Sequence, residues 1–213
     1  KQMPAIRNHY RLKNFLFILD QMKIFSLLIL IYNLLQKFRS PKKNSDIKVT
    51  KVEQFSEWAD EIWQNSKNDY QWICKRDSEI LNTLYPSDSK RFIRLQFQNK
   101  NKNIGWALVL ATAMTEHKQF PNLKVGTLAD GLCLNGYENQ IIKGCEEFLQ
   151  QQNVDLIISN QSHTRWTSAL KAHGFLTAPT NYIIAFSPEM MKGIDDFSQC
   201  HINRGDGDGP INL

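Results

Sequence analysis

The sequence predicts an α/β fold of layered α+β type, in which helices flank a mixed central sheet and a long N-terminal helix precedes it. From Asp46 onward, stretches with alternating apolar and polar residues recur between stretches with helical periodicity. The run VDLIISN (154–160) is nearly all apolar, as in a strand covered on both faces. The polar segment NKNKN (99–103) joins two strand-like stretches, which indicates a hairpin. The resulting order, β-α-β-α-β-β-β-α-β-α-β, is that of a layered fold.

The first half of the domain begins with the alternating strand DIKVTKV (46–52). FSEWADEIWQNSK (55–67) predicts a helix with Ser56 at its cap and four large apolar residues near one face: Phe55, Trp58, Ile62 and Trp63. DYQWICKRD (69–77) is extended, and DSEILNTLY (77–85) is a short helix capped by Asp77. The hairpin strands KRFIRLQFQ (90–98) and NIGWALVLATAMTE (103–116) follow.

The second half continues with the strand LKVGTLADGLCL (123–134) and the helix NGYENQIIKGCEEFLQQQN (135–153). After the buried strand VDLIISN comes a helix, HTRWTSALKAHGF (163–175), which Gly174 ends. NYIIAFSPEM (181–190) is the last clear strand. Domain boundaries follow: residues 1–45 form a helical linker or appendage, and residues 46–213 form the domain.

The charge of the chain is divided unevenly. The net charge of the 213 residues is +5, yet residues 1–45 alone contain nine basic side chains against Asp20. The rest of the chain is therefore slightly acidic, which argues against a nucleic-acid-binding face on the domain. The four cysteines include no C-x-x-C pair, so neither a structural zinc site nor a disulfide framework is expected. Reduced thiols indicate a cytoplasmic protein.

The segment Phe15–Phe38 is the one membrane candidate in the sequence. Asp20, Gln21 and Lys23 interrupt it and leave an apolar run from Ile24 to Leu35, shorter than the roughly 18–20 residues that cross a bilayer. Apolar side chains fall on every side of this run, so we expect something to cover it. An adjoining domain, a second copy of the chain through residues 15–38, and peripheral contact with a membrane surface are the alternatives.

Several stretches together resemble a family of known proteins. The order of elements, with NIGWALVL, DGLCL, VDLIISN and SALKAHGF, resembles a GNAT-type acyltransferase domain over about residues 46–190. In that fold a central hairpin leads to a strand that feeds a helix, and the next strand splays away. RDSEILNTLY, FIRLQF and HINRGDGDGP resemble more narrowly the tandem GNAT-like, Fem-type proteins of bacterial polysaccharide biosynthesis. The chain would then be the second half, and its partner would be an N-terminal GNAT-like half.

The resemblance implies N- or O-acyl transfer from acetyl-CoA or another activated acyl donor to an amine or hydroxyl of a cell-envelope saccharide or amine. Such a fold holds the cofactor pyrophosphate on backbone N–H groups at a helix N-terminus. It pairs the pantetheine amides with splayed strands, and a base and an acid move protons. The loop that matches the pyrophosphate site is Cys133, Leu134, Asn135 and Gly136, and Asn160 matches a polar family position.

Candidate catalytic and substrate-binding residues follow the strands of the resembling region. Asp130, His163, Asp206 and Asp208 are the candidate bases, with Asp130 where the family faces the acceptor. Arg165, Trp166 and Arg204 are the candidate substrate-binding residues, the arginines for an acidic group. Local roles stay open for three of them: a capping loop with Ser162 or Thr164 as N-cap and a solvated His163, a turn at Asp130-Gly131, and a core position for Trp166.

Two features favour a domain of the same fold without catalysis. The loop CLNGYENQ has one glycine and no basic residue, where the family has Arg/Gln-x-x-Gly-x-Gly/Ala, and Leu170 stands at the position of the family's proton-donating Tyr. The alternative function is therefore an inactive GNAT-fold module that binds saccharide or docks on an N-terminal half. The terminal run HINRGDGDGPINL (201–213) lacks the ligand spacing of a calcium loop, and no metal is expected. It suits a closing loop and final strand at the site.

Overall fold

The computed structural model describes Ile31 and residues 46–115, 122–177 and 184–207. Its main sheet has five strands in the order β1-β3-β4-β5-β6. These strands are β1 (Ile47–Val52), β3 (Ile93–Asn99), β4 (Lys102–Met114), β5 (Leu123–Cys133) and β6 (Leu156–Ser159). The first four pair antiparallel and β6 runs parallel to β5, so the sheet is mixed, as the sequence predicts. The predicted N-terminal helix lies outside the described residues, Ile31 excepted, and the 1–45 boundary stays a prediction.

Four helices flank the sheet within the described residues. They are α1 (Glu57–Ser66), α2 (Ser78–Leu84), α3 (Glu138–Gln151) and α4 (Thr164–Ala172). Two predicted signals operate where expected, because the Asp77 side chain accepts a hydrogen bond from the Ile80 N–H (3.0 Å) and Gly174 adopts φ +83° after α4. Ser56 occupies the predicted cap position of α1, but its side chain makes no capping hydrogen bond. None of the helices in the described part of the chain is long and apolar enough to cross a membrane.

The β3–β4 hairpin is tighter than the sequence suggests. Asn99 pairs with Lys102, so the loop contains only Lys100 and Asn101. Both have positive φ, 48° and 66°, which is the backbone of a type I′ turn matched to the twist of paired strands. Strand pairing therefore extends into the segment predicted as a polar turn.

A bulge in β5 marks where the sheet opens. Leu108 of β4 pairs with Asp130 and Val109 pairs with Leu128, so Ala129 is an extra residue on β5. The parallel pairing of β5 with β6 also ends at Leu128, opposite Ser159. The carboxyl-terminal ends of β5 and β6 are thus no longer paired with each other, and other parts of the chain contact both of them.

A second, two-stranded parallel sheet covers this opening. It pairs β2 (Trp72–Ile73) with β7 (Cys200–His201). The strand predicted at 181–190 is wrong for residues 184–190, which form no strand, while 181–183 lie outside the described residues. Pro188 cannot donate to a strand ladder, and the Met190 N–H bonds the Ser187 hydroxyl in a turn instead.

Candidate functional site

The candidate site is built around Arg76, a residue that the sequence does not single out. Arg76 lies just before α2 and is 1% exposed. Its Nε donates to Asp130 Oδ1 at 3.0 Å, and its terminal nitrogen donates to both oxygens of Asp206 at 2.8 and 2.7 Å. The other terminal nitrogen donates to the Cys74 carbonyl at 3.0 Å. One guanidinium therefore connects β5 to the C-terminal segment.

Asp130 lies just past the bulge in β5, and four groups donate to its carboxylate. Besides Arg76, these are the Tyr85 hydroxyl (2.9 Å), the Asn203 amide (2.6 Å) and the Gly131 N–H (2.8 Å). The residue is 1% exposed. Hydrogen-bond donors of the protein therefore enclose the predicted base. In this conformation, the group of a substrate that would accept the acyl group cannot reach it.

Asp206 belongs to a short 3-10 turn, Arg204–Asp206, whose cap is Asn203. The Asn203 side chain accepts from the Gly205 N–H at 2.9 Å, and Asp206 accepts from the Asn203 N–H at 2.9 Å. This reciprocal capping box holds the carboxylate towards Arg76. Asp208, the fourth candidate base, lies outside the described residues.

Burial and charge set the ionisation of this cluster. Burial raises the pKa of Asp130, and the Arg76 charge opposes that shift. Burial alone would lower the pKa of Arg76, but Asp130 and Asp206 together raise it above its ordinary value. Burial and the Asp206 carboxylate raise the pKa of the Cys74 thiol to about 12, so the thiol stays protonated at neutral pH. The arrangement is that of a structural ion network.

His163, the other candidate base, is the N-cap residue of α4. Its Nδ1 accepts a hydrogen bond from the Arg165 N–H at 3.2 Å, which requires that nitrogen to be unprotonated. The ring is 2% exposed and makes an edge contact with the Tyr70 ring, 4.8 Å between centroids. Burial, followed by the nearby Arg165 charge, lowers the pKa of His163 to about 4. The expected N-cap at Ser162 or Thr164 with a solvated His163 is therefore wrong, because His163 itself caps α4 and is buried.

The candidate substrate-binding residues of α4, Arg165 and Trp166, are bound to other side chains of the protein. Trp166 is fully buried, and its indole N–H donates to the Tyr70 hydroxyl at 3.3 Å, so it takes the core position that was its alternative role, and its contact with a substrate stays a prediction. Arg165 is ion-paired with Glu138 (3.2 Å) and Asp69 (3.4 Å). Its guanidinium also stacks over the Tyr70 ring, 5.2 Å from the centroid.

The predicted cofactor loop connects β5 to α3. Cys133 is 1% exposed in the core, whereas Asn135 and Gly136 are exposed and Leu134 is half-buried. Gly136 adopts φ +89° and its N–H donates to the Glu138 carboxylate at 3.0 Å. The loop has the glycine turn and the helix start that are typical of an anion-binding site, but the Glu138 carboxylate already lies there.

The C-terminal segment bridges the two strands that part after the bulge. His201 Nε2 lies 2.8 Å from the Gly131 carbonyl, and because a carbonyl only accepts, Nε2 carries the proton. On the other side, the Ser162 N–H donates to the Ile202 carbonyl at 3.0 Å. Arg204 Nε donates to the Asn160 side chain at 2.7 Å, so these two candidate residues bind each other.

The structure thus brings together the described candidate residues from β5, α4 and the C-terminal turn, but mostly through contacts with other residues of the chain. Sequence reasoning missed five residues that organise them: Arg76, Tyr70, Tyr85, His201 and Asn203. Glu138 is visible in the sequence, as an acid in the first turn of α3 beside the predicted cofactor loop. Within the described part of the chain, no group of His, Cys, Asp or Glu is arranged to hold a metal ion.

Comparison with solved structures finds GNAT-family acetyltransferases. One is a GNAT family acetyltransferase from Staphylococcus aureus, with 14% identity over 66% of this chain and 99% of that chain and a TM-score of 0.47. A ribosomal-protein-alanine N-acetyltransferase from Brucella melitensis biovar Abortus gives 10% identity, 66% and 99% coverage and a TM-score of 0.48.

A third is the aminoglycoside acetyltransferase AAC(6')-Iy bound to a CoA-linked bisubstrate analogue, with 13% identity, 67% and 99% coverage and a TM-score of 0.47. No protein-family model and no curated protein sequence matches the chain. Identities this low leave the activity of the chain to be argued from its own residues.

Proposed function

We propose that the chain is one domain of an acyltransferase acting on a cell-envelope saccharide or amine, and that this domain docks on a second GNAT-like half rather than transferring the acyl group itself. The tandem resemblance of the sequence supports the two-half arrangement. The acidic domain and the apolar run from Ile24 to Leu35 support a covered N-terminal segment.

One observation carries the docking role: the enclosure of Asp130. A general base needs to come within hydrogen-bond reach of the proton that it removes, directly or through one water. Asp130 instead accepts hydrogen bonds from Arg76, Tyr85 and Asn203 at 2.6–3.0 Å, and it is 1% exposed. The other described candidate bases, His163 and Asp206, are held in a helix cap and in an ion pair with Arg76.

A second function, acyl transfer by this domain from acetyl-CoA, is favoured by the opening of the sheet. Pairing between β5 and β6 stops at Leu128 and Ser159, directly at the bulge, so backbone groups beyond that point could pair with an extended ligand in place of the C-terminal segment that contacts them now. Transfer would require the His201–Asn203 segment to leave the Gly131 carbonyl and Asp130.

Titration of the full chain with acetyl-CoA by calorimetry separates the two functions. The docking role predicts no saturable heat and no release of free CoA thiol in the presence of amine acceptors. Saturable binding accompanied by thiol release would overturn it and establish transfer by this domain. A buffer blank with the same acetyl-CoA stock controls for spontaneous hydrolysis.

The covering of residues 15–38 has its own test, since a second copy and a membrane surface remain alternatives to a second half. Sedimentation velocity of the full chain, with and without anionic phosphatidylserine vesicles, distinguishes self-association from membrane contact. A Leu28→Glu change is expected to weaken whichever contact uses the apolar run. A chain that stays monomeric and does not bind vesicles fits docking on a separate GNAT-like half. A dimer would instead identify a second copy as the partner of residues 15–38, and vesicle binding would identify the membrane surface.

A further inference from the structure

The start of α3 has the features of a general anion-binding position. Gly136, at φ +89°, turns the chain into a 14-residue helix. The first turn of a helix presents unpaired N–H groups and the positive end of the helix dipole, which together attract phosphate and carboxylate groups. A ligand carrying phosphate would therefore be expected to bind here if the position were vacant.

The chain places its own carboxylate at this position. Glu138 is 5% exposed, and its Oε2 accepts the Gly136 N–H at 3.0 Å. Its Oε1 lies 3.2 Å from Arg165 Nε but is otherwise without a hydrogen-bond partner among the described residues. A buried carboxylate held by a helix start and a guanidinium occupies the place of an external anion.

Arg165, the nearest cation, is already neutralised. It is paired with Asp69 at 3.4 Å as well as with Glu138, and it lies over the Tyr70 ring at 5.2 Å. Two carboxylates therefore face one guanidinium beside the first turn of α3. An incoming phosphate would meet like charge at short range and would have to break these pairs.

We propose that Glu138 excludes phosphate-bearing ligands from the start of α3. The nucleotide carriers of acyl groups are among the excluded ligands, so Glu138 determines which ligand charge this end of the fold can accept. This inference rests on the proposed docking role, which it deepens by naming the class of ligand that the domain rejects. Removing the Glu138 side chain would free the Gly136 N–H beside the start of α3 and release Arg165 to bind an anion.

The test uses inorganic pyrophosphate and acetyl-CoA as probes, titrated by calorimetry into the full chain. We expect Glu138→Ala to bind pyrophosphate about tenfold or more tighter than the unmodified chain, because one buried negative charge is removed from the position. Adding Arg165→Ala is expected to abolish the gain. Glu138→Gln keeps an acceptor for the Gly136 N–H while removing the charge, and it is informative even if the alanine variant unfolds.

Glu57→Ala is the matched control, since Glu57 is an exposed acid in the first turn of another helix, α1. Equal gains from Glu57→Ala and Glu138→Ala would refute a specific role for Glu138, as would no gain in either Glu138 variant when circular dichroism shows both folded. Those results leave the docking role standing. Acetyl-CoA binding with thiol release by the unmodified chain would instead overturn the docking role itself.

Discussion

Replacing Arg76 by Met is expected to destabilise the protein strongly. Arg76 binds Asp130 and Asp206, whose side chains are 2% and 6% exposed, so the change leaves two carboxylates buried without their cation. Removing one partner of a buried ion pair typically costs about 3–5 kcal/mol, a large part of a folding stability of about 5–15 kcal/mol. At a slope of about 2 kcal/mol per molar urea, the unfolding midpoint would fall by about 1.5–2.5 M.

Urea unfolding followed by tryptophan fluorescence measures this loss. The loss is also expected to shrink as the pH falls. Without Arg76, burial raises the folded-state pKa of Asp130 above the unfolded value of about 3.9. Carboxyls with raised folded-state pKa values favour folding at low pH, and that contribution is lost as the pH rises through the raised pKa. Arg76→Met should therefore lose more stability at pH 8 than at pH 5.

The neighbouring residue provides the control. Lys75 pairs with Asp77 at the surface, so Lys75→Met is expected to leave the midpoint almost unchanged. Adding Asp206→Asn to Arg76→Met should recover part of the loss, because it removes one of the two orphaned charges. An Arg76→Met loss below about 1 kcal/mol, or one equal at both pH values, would refute the view of Arg76 as the buried cation of this cluster.

Three further changes test other parts of the structure. Gly144→Ala places a Cβ 2.4 Å from the Phe97 ring and 2.9 Å from Val49 Cγ2. We expect the clash between α3 and the sheet, about 1–3 kcal/mol, to exceed the helix-propensity gain of about 1 kcal/mol in a thermal melt. Burial lowers the pKa of His163 to about 4, so its neutral form stabilises the fold above pH 6.5 and this contribution is lost as the pH falls towards 4. His163→Asn, which can still cap α4, should flatten the stability profile over that range, and an unchanged profile would assign the pH dependence elsewhere. With a pKa of about 12, the Cys74 thiol should react with iodoacetamide at pH 8 far more slowly in the folded than in the urea-unfolded chain, as peptide mass mapping can show. Equal rates would contradict its burial beside Asp206.

Local sequence signals were sufficient for most of the fold. The cap at Asp77 and the stop at Gly174 each act over a few residues and are found where predicted. The run VDLIISN does contain a strand, β6, but the expected burial on both faces is wrong, because β6 is an edge strand of the described sheet with Leu156 exposed and its other residues half-buried. The parallel pair of β2 and β7 gave no comparable signal, because each strand is only two residues long. A two-residue strand has too little periodicity to be recognised.

The sequence predicted the position of the candidate site better than it predicted the roles of the individual residues. Asp130 lies near the end of β5 and Asn160 follows β6, the neighbouring strand, and the structure does place both residues near the C-terminal turn. Their partners were hidden, since Arg76 is 54 residues from Asp130 and 130 residues from Asp206 along the chain. Pairings at such separations depend on tertiary packing, and no pattern within one window of sequence reveals them.

The pairing of β2 with β7 has a consequence for how the protein forms. It joins Trp72 to Cys200, so this contact closes almost the whole length of the domain. Contacts between residues so far apart in sequence form slowly, because a long stretch of chain has to be ordered before they stabilise anything. During synthesis, the β5 end and Arg76 would emerge from the ribosome well before Asp206. The nascent domain would thus hold Arg76 and Asp130 without the second carboxylate of the cluster until Asp206 appears, a stage at which binding by a chaperone would be most useful.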